Sequence, residues 1–125
     1  MAKRKKKAET SDLLTEIIIK GIQEKKGKNI VSLNLKSIEY AVSDYFIVCH
    51  GTSNTQVSAI AESVEEEVRN AIGVKPWHRE GLQNAEWILL DYVNVVVHVF
   101  QETTRNFYHI EQLWADAEIK THEDN

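Results

Sequence analysis

The 125-residue sequence has a single cysteine, a single proline and no long apolar run. A lone cysteine, Cys49, cannot form a disulfide within one chain, which excludes the small disulfide-stabilised secreted domains. A membrane-spanning helix needs about 20 consecutive apolar residues, and no segment approaches that length. The charged start of the chain is not followed by the apolar region of a secretory signal. We therefore expect one globular domain in the reducing environment of the cytoplasm.

Positive charge is also scarce outside the first ten residues. Five of the 15 basic residues are consecutive, and the remaining ten are outnumbered by 19 acidic residues. A nucleic-acid-binding domain presents a basic face, so this acidic body argues against that class. We expect residues 1–10 to form a disordered, solvated tail, and the alternative is a weak contact with RNA phosphates. The basic residues of this tail are Lys3, Arg4, Lys5, Lys6 and Lys7.

Hydrophobic periodicity predicts seven elements in the order helix, strand, strand, helix, strand, strand, helix. The strand–helix–strand crossover in the middle predicts a parallel strand pair inside a mixed α/β sheet. Residues 11–118 form the predicted domain, and residues 119–125 form a frayed polar tail. The first helix is expected to begin at Ser11 or Asp12. The strands are expected at residues 29–35, 44–50, 86–91 and 95–101.

The last two predicted strands are dense in aliphatic and aromatic residues, which suits a half-buried sheet. A two-residue turn at Val93-Asn94 would bring together one apolar face, which we assign to the core. The opposite face combines aromatic, acidic and imidazole side chains, as a surface that meets a partner does. The core face holds Ile88, Leu90, Tyr92, Val95, Val97 and Val99, and the opposite face holds Trp87, Leu89, Asp91, Val96, His98 and Phe100.

Two segments of the chain carry several motifs in series. One reads EG-(5)-W-(3)-DY-(3)-VVHVFQE-(2)-R-(1)-FY-(2)-E-(1)-LW, from Glu80 to Trp114, and the other reads DYFIVCHGTSNTQVSAIAESV, residues 44–64. Motifs in series are more specific than one short pattern. Together they resemble the Iojap family, the bacterial ribosomal silencing factors, and this resemblance implies a nucleotidyltransferase-like α/β fold. The family usually has Gly-Asp where this chain has Val93-Asn94.

The resemblance also implies a function in translational silencing. Proteins of this family bind the fourteenth protein of the large ribosomal subunit, block joining of the small subunit, and repress translation under nutrient limitation or in stationary phase. Their docking surface includes a tryptophan and a tyrosine that match Trp87 and Tyr108. Dimerisation of the free protein stays open. With the residues that share a predicted face with the tryptophan, and with the family's EG pair, the expected docking residues are Trp87, Asp91, His98, Tyr108, Glu80 and Gly81.

An enzymatic alternative rests on the turn formed by Gly51, Thr52 and Ser53. Such a turn at a helix N-terminus offers backbone amides to a phosphate, although helix capping alone explains Ser53. Metal-dependent phosphoryl or nucleotidyl transfer also needs two converging carboxylates. Asp44 and Asp91 have no acidic neighbour two residues along their strands, and no histidine spacing predicts a metal site. We therefore expect a binding protein without catalysis, cofactor or metal, and keep a nucleotide- or phosphate-binding enzyme as the alternative.

Neighbouring residues set the expected orientation of two docking residues. Phe107 and Tyr108 are adjacent in the last helix, so both cannot point squarely at the core. Phe107 fits the apolar stripe that includes Ile110, which leaves Tyr108 at the edge or surface. On the hairpin, His98 is expected either as a hydrogen-bonded structural histidine or as the partner of Asp91 in a histidine–carboxylate pair.

Overall fold

Ten elements form a six-stranded sheet with helices on both faces. The computed structural model describes residues 2–124, and the side chains of residues 11–124. Within that part of the chain, no helix has both the length and the hydrophobicity to cross a bilayer. The elements are α1 (Ala2–Glu24), β1 (Lys28–Asn34), β2 (Tyr45–Gly51), α2 (Asn54–Ile72), β3 (His78–Glu80), β4 (Trp87–Asp91), β5 (Val95–Gln101), α3 (Glu102–Tyr108), α4 (Ile110–Leu113) and β6 (Glu118–His122).

The sheet has the strand order β3-β4-β5-β2-β1-β6. Neighbouring strands run antiparallel except β2 and β5, which are parallel. The connection between these two strands runs through α2, β3 and β4. The predicted parallel pair and the predicted mixed α/β sheet are confirmed, although β4, the predicted strand that follows α2, does not pair with β2. The parallel pair occupies the centre, where both faces of the sheet are covered, and its strands accordingly read as near-continuous apolar runs.

The first helix begins at Ala2, ahead of the start at Ser11 or Asp12 that the sequence predicts. The side chains of residues 2–10 lie outside the described part of the chain. Both expectations for the basic tail, disorder and phosphate contact, therefore stay predictions.

The helices α1 and α2 pack side by side on one face of the sheet and bury its apolar side chains. Their close approach depends on Gly21, where an added Cβ would lie 2.9 Å from the Cα of Val64. Because Gly21 has no side chain, its carbonyl is accessible to α2, and Ser63 Oγ donates a hydrogen bond to it at 2.8 Å. The fully buried side chains of this core include Ile18, Ile22, Ile47, Val57, Ile60, Val64, Val68, Ile88, Leu90, Val97 and Val99.

The β4-β5 hairpin has the predicted register and the predicted two-residue turn. Tyr92 N donates to the Val95 carbonyl at 2.9 Å and Asn94 N donates to the Tyr92 carbonyl at 2.9 Å. Val93 therefore sits at the centre of a γ-turn and has a φ of 75°, which is rare for a β-branched residue. The register pairs are Trp87–Phe100, Ile88–Val99, Leu89–His98, Leu90–Val97 and Asp91–Val96.

Both edge strands are corrections to the sequence-based prediction. β3 lies in the segment expected to be a linker, and β6 lies in the segment expected to be a frayed tail. β6 pairs antiparallel with β1, and Ile119 lies opposite Leu33. Ser32 Oγ and His122 Nε2 also share a hydrogen bond of 2.8 Å. Short polar edge strands are stabilised by backbone pairing on one side only, so they carry little apolar periodicity.

The last predicted helix is broken into α3 and α4. His109 adopts a left-handed conformation with φ 50° and ends α3. Because of this break, α3 and α4 do not share the single apolar face expected from the sequence. Ile110 is buried as predicted, while Phe107 is 78% exposed. The placement of Phe107 in the core was wrong, and the expectation that Tyr108 lies at the surface is confirmed.

Candidate docking surface

The face of the sheet opposite α1 and α2 carries an unbroken row of aromatic and imidazole rings. Successive ring centroids are 5.5, 5.4, 4.8, 5.9, 5.0 and 5.0 Å apart. The central ring is buried, its nearest neighbours are half-buried, and both ends of the row are exposed. We call this the aromatic row, and its members in order are Tyr40, Trp114, Phe46, His98, Trp87, Tyr108 and Phe107.

Trp87 is held on three sides within this row. Its indole stacks on Phe100 with ring centroids 4.8 Å apart and contacts Tyr108 at 5.0 Å. Its Nε1–H donates to His98 Nδ1 at 3.1 Å. Trp87 remains half-buried, and Tyr108 is 51% exposed. These two residues therefore form a rigid aromatic pair open to solvent, as an interface anchor requires.

His98 does not lie at the surface where the sequence places it. The side chain is only 4% exposed, because Phe46 and Trp87 cover it from two sides. Burial lowers the pKa of His98 to about 4, so its ring is neutral at pH 7. Since Nδ1 accepts from the indole, the proton of the neutral ring is on Nε2, which has no hydrogen-bond partner in the described part of the chain.

Asp91 is committed to the hairpin turn rather than to His98. Its Oδ1 accepts a hydrogen bond of 2.7 Å from Val93 N, which stabilises the γ-turn. The predicted histidine–carboxylate pair is thus wrong, because Asp91 bonds the Val93 amide and His98 bonds the Trp87 indole. Asp91 is half-buried and lies at the far end of β4 from Trp87.

The Glu80-Gly81 pair, whose role the sequence leaves undefined, supports β4 from the neighbouring edge. Gly81 has a φ of 80°, and a Cβ at this position would lie 1.9 Å from the Trp87 carbonyl oxygen. Only glycine allows the chain to pass so close to Trp87. Glu80 is exposed and accepts a hydrogen bond from His78 Nε2 at 2.9 Å. Gly81 thus positions the strand that carries Trp87, whereas Glu80 faces solvent.

Arg105 anchors α3 to the sheet and was not assigned a role from the sequence. The buried guanidinium donates to the Asn29 carbonyl at 2.7 Å, to His50 Nδ1 at 3.0 Å and to Glu111 Oε1 at 3.2 Å. Burial lowers the pKa of His50, and the adjacent Arg105 charge lowers it further, which keeps the imidazole a neutral acceptor. Because α3 carries Tyr108, this network fixes the position of the exposed aromatic pair.

The other members of the aromatic row were missed as docking candidates. Tyr40 lies in a connector without periodicity, so only its stacking on Trp114 reveals it. Phe107 was assigned to the core because its spacing matched a continuous helix. Trp114 closes the longer family motif, which was the one available signal for it.

The turn proposed as an anion site is occupied by a side chain of the protein itself. Thr52 N donates to Gln56 Oε1 at 2.8 Å, and Gln56 N donates to Ser53 Oγ at 3.1 Å. The Gln56 side chain also fills the space beside Gly51, within 3.1 Å of where a Cβ would be. The expectation of a phosphate site at Gly51, Thr52 and Ser53 is therefore not supported, although Ser53 caps α2 as predicted. In the described residues, no three or more potential ligands among His, Cys, Asp and Glu come together as for a metal ion.

Comparison with known proteins shows the family of this chain. The family model described as "ribosomal silencing factor during starvation" matches residues 7–125. The chain belongs to the ribosomal silencing factor family. The ribosomal silencing factor of Halalkalibacterium halodurans is 38% identical over 104 residues, which cover 83% of this chain and 87% of that protein. The predicted resemblance is thus confirmed.

Relatives of ribosomal silencing factors extend the comparison to structure and to organelles. A crystal structure of a Chromobacterium violaceum protein has a TM-score of 0.79 and 36% identity, covering 83% of this chain and 85% of that chain. A more distant relative, the mouse "mitochondrial assembly of ribosomal large subunit protein 1", is 27% identical over 78 residues. That match covers 61% of this chain and 34% of the mouse protein.

Proposed function

We propose that this ribosomal silencing factor binds the fourteenth protein of the large ribosomal subunit through the aromatic row and blocks joining of the small subunit. The observation that carries the proposal is the exposed pair of Trp87 and Tyr108, held in place by Phe100 and by the α3 anchor. Membership of the family and the large-subunit role named for the mouse relative support the choice of partner. Repression would operate in the cytoplasm, under nutrient limitation or in stationary phase.

The proposed mechanism is steric and needs no chemistry. A protein bound at the joining face of the large subunit excludes the small subunit by occupying its place, so affinity and position are sufficient. A buried tryptophan or tyrosine anchor contributes about 2 kcal/mol on truncation, which corresponds to roughly a thirtyfold change in affinity. The Gln56 side chain in the Gly51–Ser53 turn favours this binding role over the phosphate-binding alternative, because it takes the Thr52 amide that a phosphate would use.

Within this proposal the predicted docking residues take different roles. Tyr108 and Trp87 contact the partner directly. Gly81 positions Trp87, and Asp91 stabilises the hairpin turn. Glu80 is exposed beside Trp87 and is a candidate for a polar contact at the rim. A weak contact of residues 3–7 with ribosomal RNA and a homodimer of the free protein stay predictions.

Tyr108→Ala tests the proposal without disturbing the core, because the ring is half exposed. We expect a folded variant by circular dichroism that binds purified large subunits roughly thirtyfold more weakly. Wild type, but not the variant, should shift sucrose gradients from joined ribosomes toward separate subunits. Leu13→Ala is the matched control, since Leu13 is 46% exposed on the opposite face of the sheet. Equal binding by Tyr108→Ala and wild type would show that Tyr108 lies outside the interface.

A further inference from the structure

We propose that His98 is a positioning residue, which holds the Trp87 indole in its docking orientation and leaves only the apolar surface of that ring for the partner. This inference rests on the proposed function. His98 itself is too buried to contact a partner, so it acts through Trp87. The consequence for recognition is that the ribosomal protein covers the Trp87 ring without accepting a hydrogen bond from its indole N–H.

The geometry of the hairpin makes this contact a diagonal one. Trp87 pairs with Phe100 and His98 pairs with Leu89, so the indole and the imidazole belong to neighbouring cross-strand pairs on one face. Diagonal neighbours lie within reach of aromatic side chains. The Nε1–Nδ1 distance of 3.1 Å shows that the reach is used for a hydrogen bond. Stacking on Phe100 restrains the plane of the indole, and the hydrogen bond selects which edge faces inward.

The direction of this hydrogen bond is determined by chemistry. An indole nitrogen can only donate, so His98 Nδ1 must accept and the ring must be the Nε2–H tautomer. The indole N–H is therefore satisfied inside the protein and is not offered to a partner. What Trp87 presents to solvent is carbon, next to the half-exposed ring of Tyr108.

The unpartnered Nε2–H argues that His98 is not present for stability. A buried donor without an acceptor carries a desolvation penalty, and an apolar side chain of similar size avoids that penalty. Leucine at this position would pack among Phe46, Phe100 and Trp87 with no polar atom of its own, and the half-buried Trp87 indole N–H, which loses its acceptor, could turn toward solvent. The relieved penalty at Nε2 and the lost indole hydrogen bond are similar in magnitude and opposite in sign. We therefore expect His98→Leu to stay folded, with a stability close to that of wild type at pH 7. A purely structural histidine would not allow binding and stability to separate in this way.

Three substitutions distinguish the acceptor from the ring. In His98→Asn, the side-chain oxygen lies near the position of Nδ1 and can accept from the indole, whereas His98→Leu has no acceptor. In His98→Gln, the amide lies near the position of Nε2, beyond the indole. We expect His98→Asn to bind large subunits within about twofold of wild type, and His98→Leu and His98→Gln to bind about three- to tenfold more weakly, because a freed indole must be ordered again on docking.

The indole N–H resonance of Trp87, assigned by its disappearance in Trp87→Phe, provides a readout that does not depend on the ribosome. We expect slow solvent exchange of this proton in wild type and His98→Asn, and fast exchange in His98→Leu and His98→Gln. His122→Leu is the control, because His122 bonds Ser32 on the opposite edge of the sheet and should leave both measurements unchanged.

The outcomes separate this inference from the proposed function. If wild type does not bind large subunits, the proposed function fails, and the exchange measurement still decides whether His98 holds the indole. Slow exchange in folded His98→Leu and His98→Gln would overturn the positioning role. Wild-type affinity in a variant whose indole exchanges fast would overturn it as well, as would loss of binding by a folded His98→Asn. Should His98→Leu fail to fold, the comparison of Asn with Gln decides between the same results.

Discussion

The strained turn at Val93 leads to a quantitative prediction about stability. Val93 has a φ of 75° in the β4-β5 hairpin, and its side chain is 54% exposed. A β-carbon in the left-handed region costs about 1–2 kcal/mol, whereas glycine pays about 0.5–1 kcal/mol of extra backbone entropy on folding. The exposed side chain buries little apolar area, so its loss adds a small cost. We therefore expect Val93→Gly to raise the free energy of unfolding by about 0.5–1 kcal/mol.

The backbone contacts of this turn do not involve the side chain that is removed. Val93 N donates to Asp91 Oδ1 at 2.7 Å, and the Val93 carbonyl accepts from Ser43 Oγ at 3.0 Å. Glycine can keep both hydrogen bonds, so the gain from relieved strain should appear undiminished. The glycine that the family resemblance implies at this position is consistent with that expectation.

Equilibrium urea unfolding followed by circular dichroism measures the change. The midpoint should rise at constant m-value, and the melting temperature should rise by roughly 2–5 °C. Val42→Gly is the matched control, because Val42 is 97% exposed and is not among the residues with positive φ. Val42→Gly relieves no backbone strain and only increases the conformational entropy of the unfolded chain, so the free energy of unfolding should fall by about 0.5 kcal/mol. The reasoning is refuted if Val93→Gly loses as much stability as Val42→Gly.

Three further perturbations have expected outcomes. Gly81→Ala should lower the free energy of unfolding by about 2 kcal/mol, because the new Cβ meets the Trp87 carbonyl. Gly73→Ala, at a φ of 68° with no neighbouring atom among the described residues, should lower it by only about 1 kcal/mol. Equal losses in urea unfolding would show that the contact between residue 81 and the Trp87 carbonyl is unimportant. Burial lowers the folded-state pKa of His98 from 6.5 to about 4, so the unfolded chain binds the extra proton between these pH values. The free energy of unfolding should therefore fall by about 2–3 kcal/mol as the pH drops from 6.5 to 4. His98→Leu should lessen this loss, and an unchanged pH profile in the variant would contradict the lowered pKa of His98. Gln56→Ala should lower stability by about 0.5–1.5 kcal/mol, because it removes the acceptor of the exposed Thr52 N. Neither this variant nor wild type should turn over a nucleoside triphosphate with Mg²⁺, and turnover that is lost on Asp44→Ala or Asp91→Ala would establish an enzyme instead.

Features of this fold that depend on local patterns follow from the sequence. The β4-β5 register follows from side-chain alternation, because a slip by one residue would move Ile88 and Leu90 from the core to the opposite face. The start of α2 follows from the Ser53 cap, whose hydrogen bond spans three residues. The presence of a parallel pair follows from the crossover through α2, while its partner strand, β5 instead of β4, was decided by the tertiary structure. Each of these depends on residues that are close together in the chain or on a general rule of connection.

Features that depend on contacts between distant segments could only be decided by the tertiary structure. β3 and β6 exist because β4 and β1 offer backbone partners, which no apolar pattern in the edge strands themselves announces. Phe107 is exposed because α3 ends at His109 and its orientation is fixed by the hydrogen bond from Arg105 to the distant Asn29 carbonyl.

The environment of each predicted docking residue was likewise decided by the tertiary structure. The sequence places Trp87 and His98 on one face of the hairpin, and that placement is correct. Burial then separates their roles, since Phe46 reaches His98 from β2 and leaves Trp87 beside the exposed Tyr108. Strand alternation reports which face a side chain occupies. How deeply it is covered there depends on what packs over that face from elsewhere in the chain.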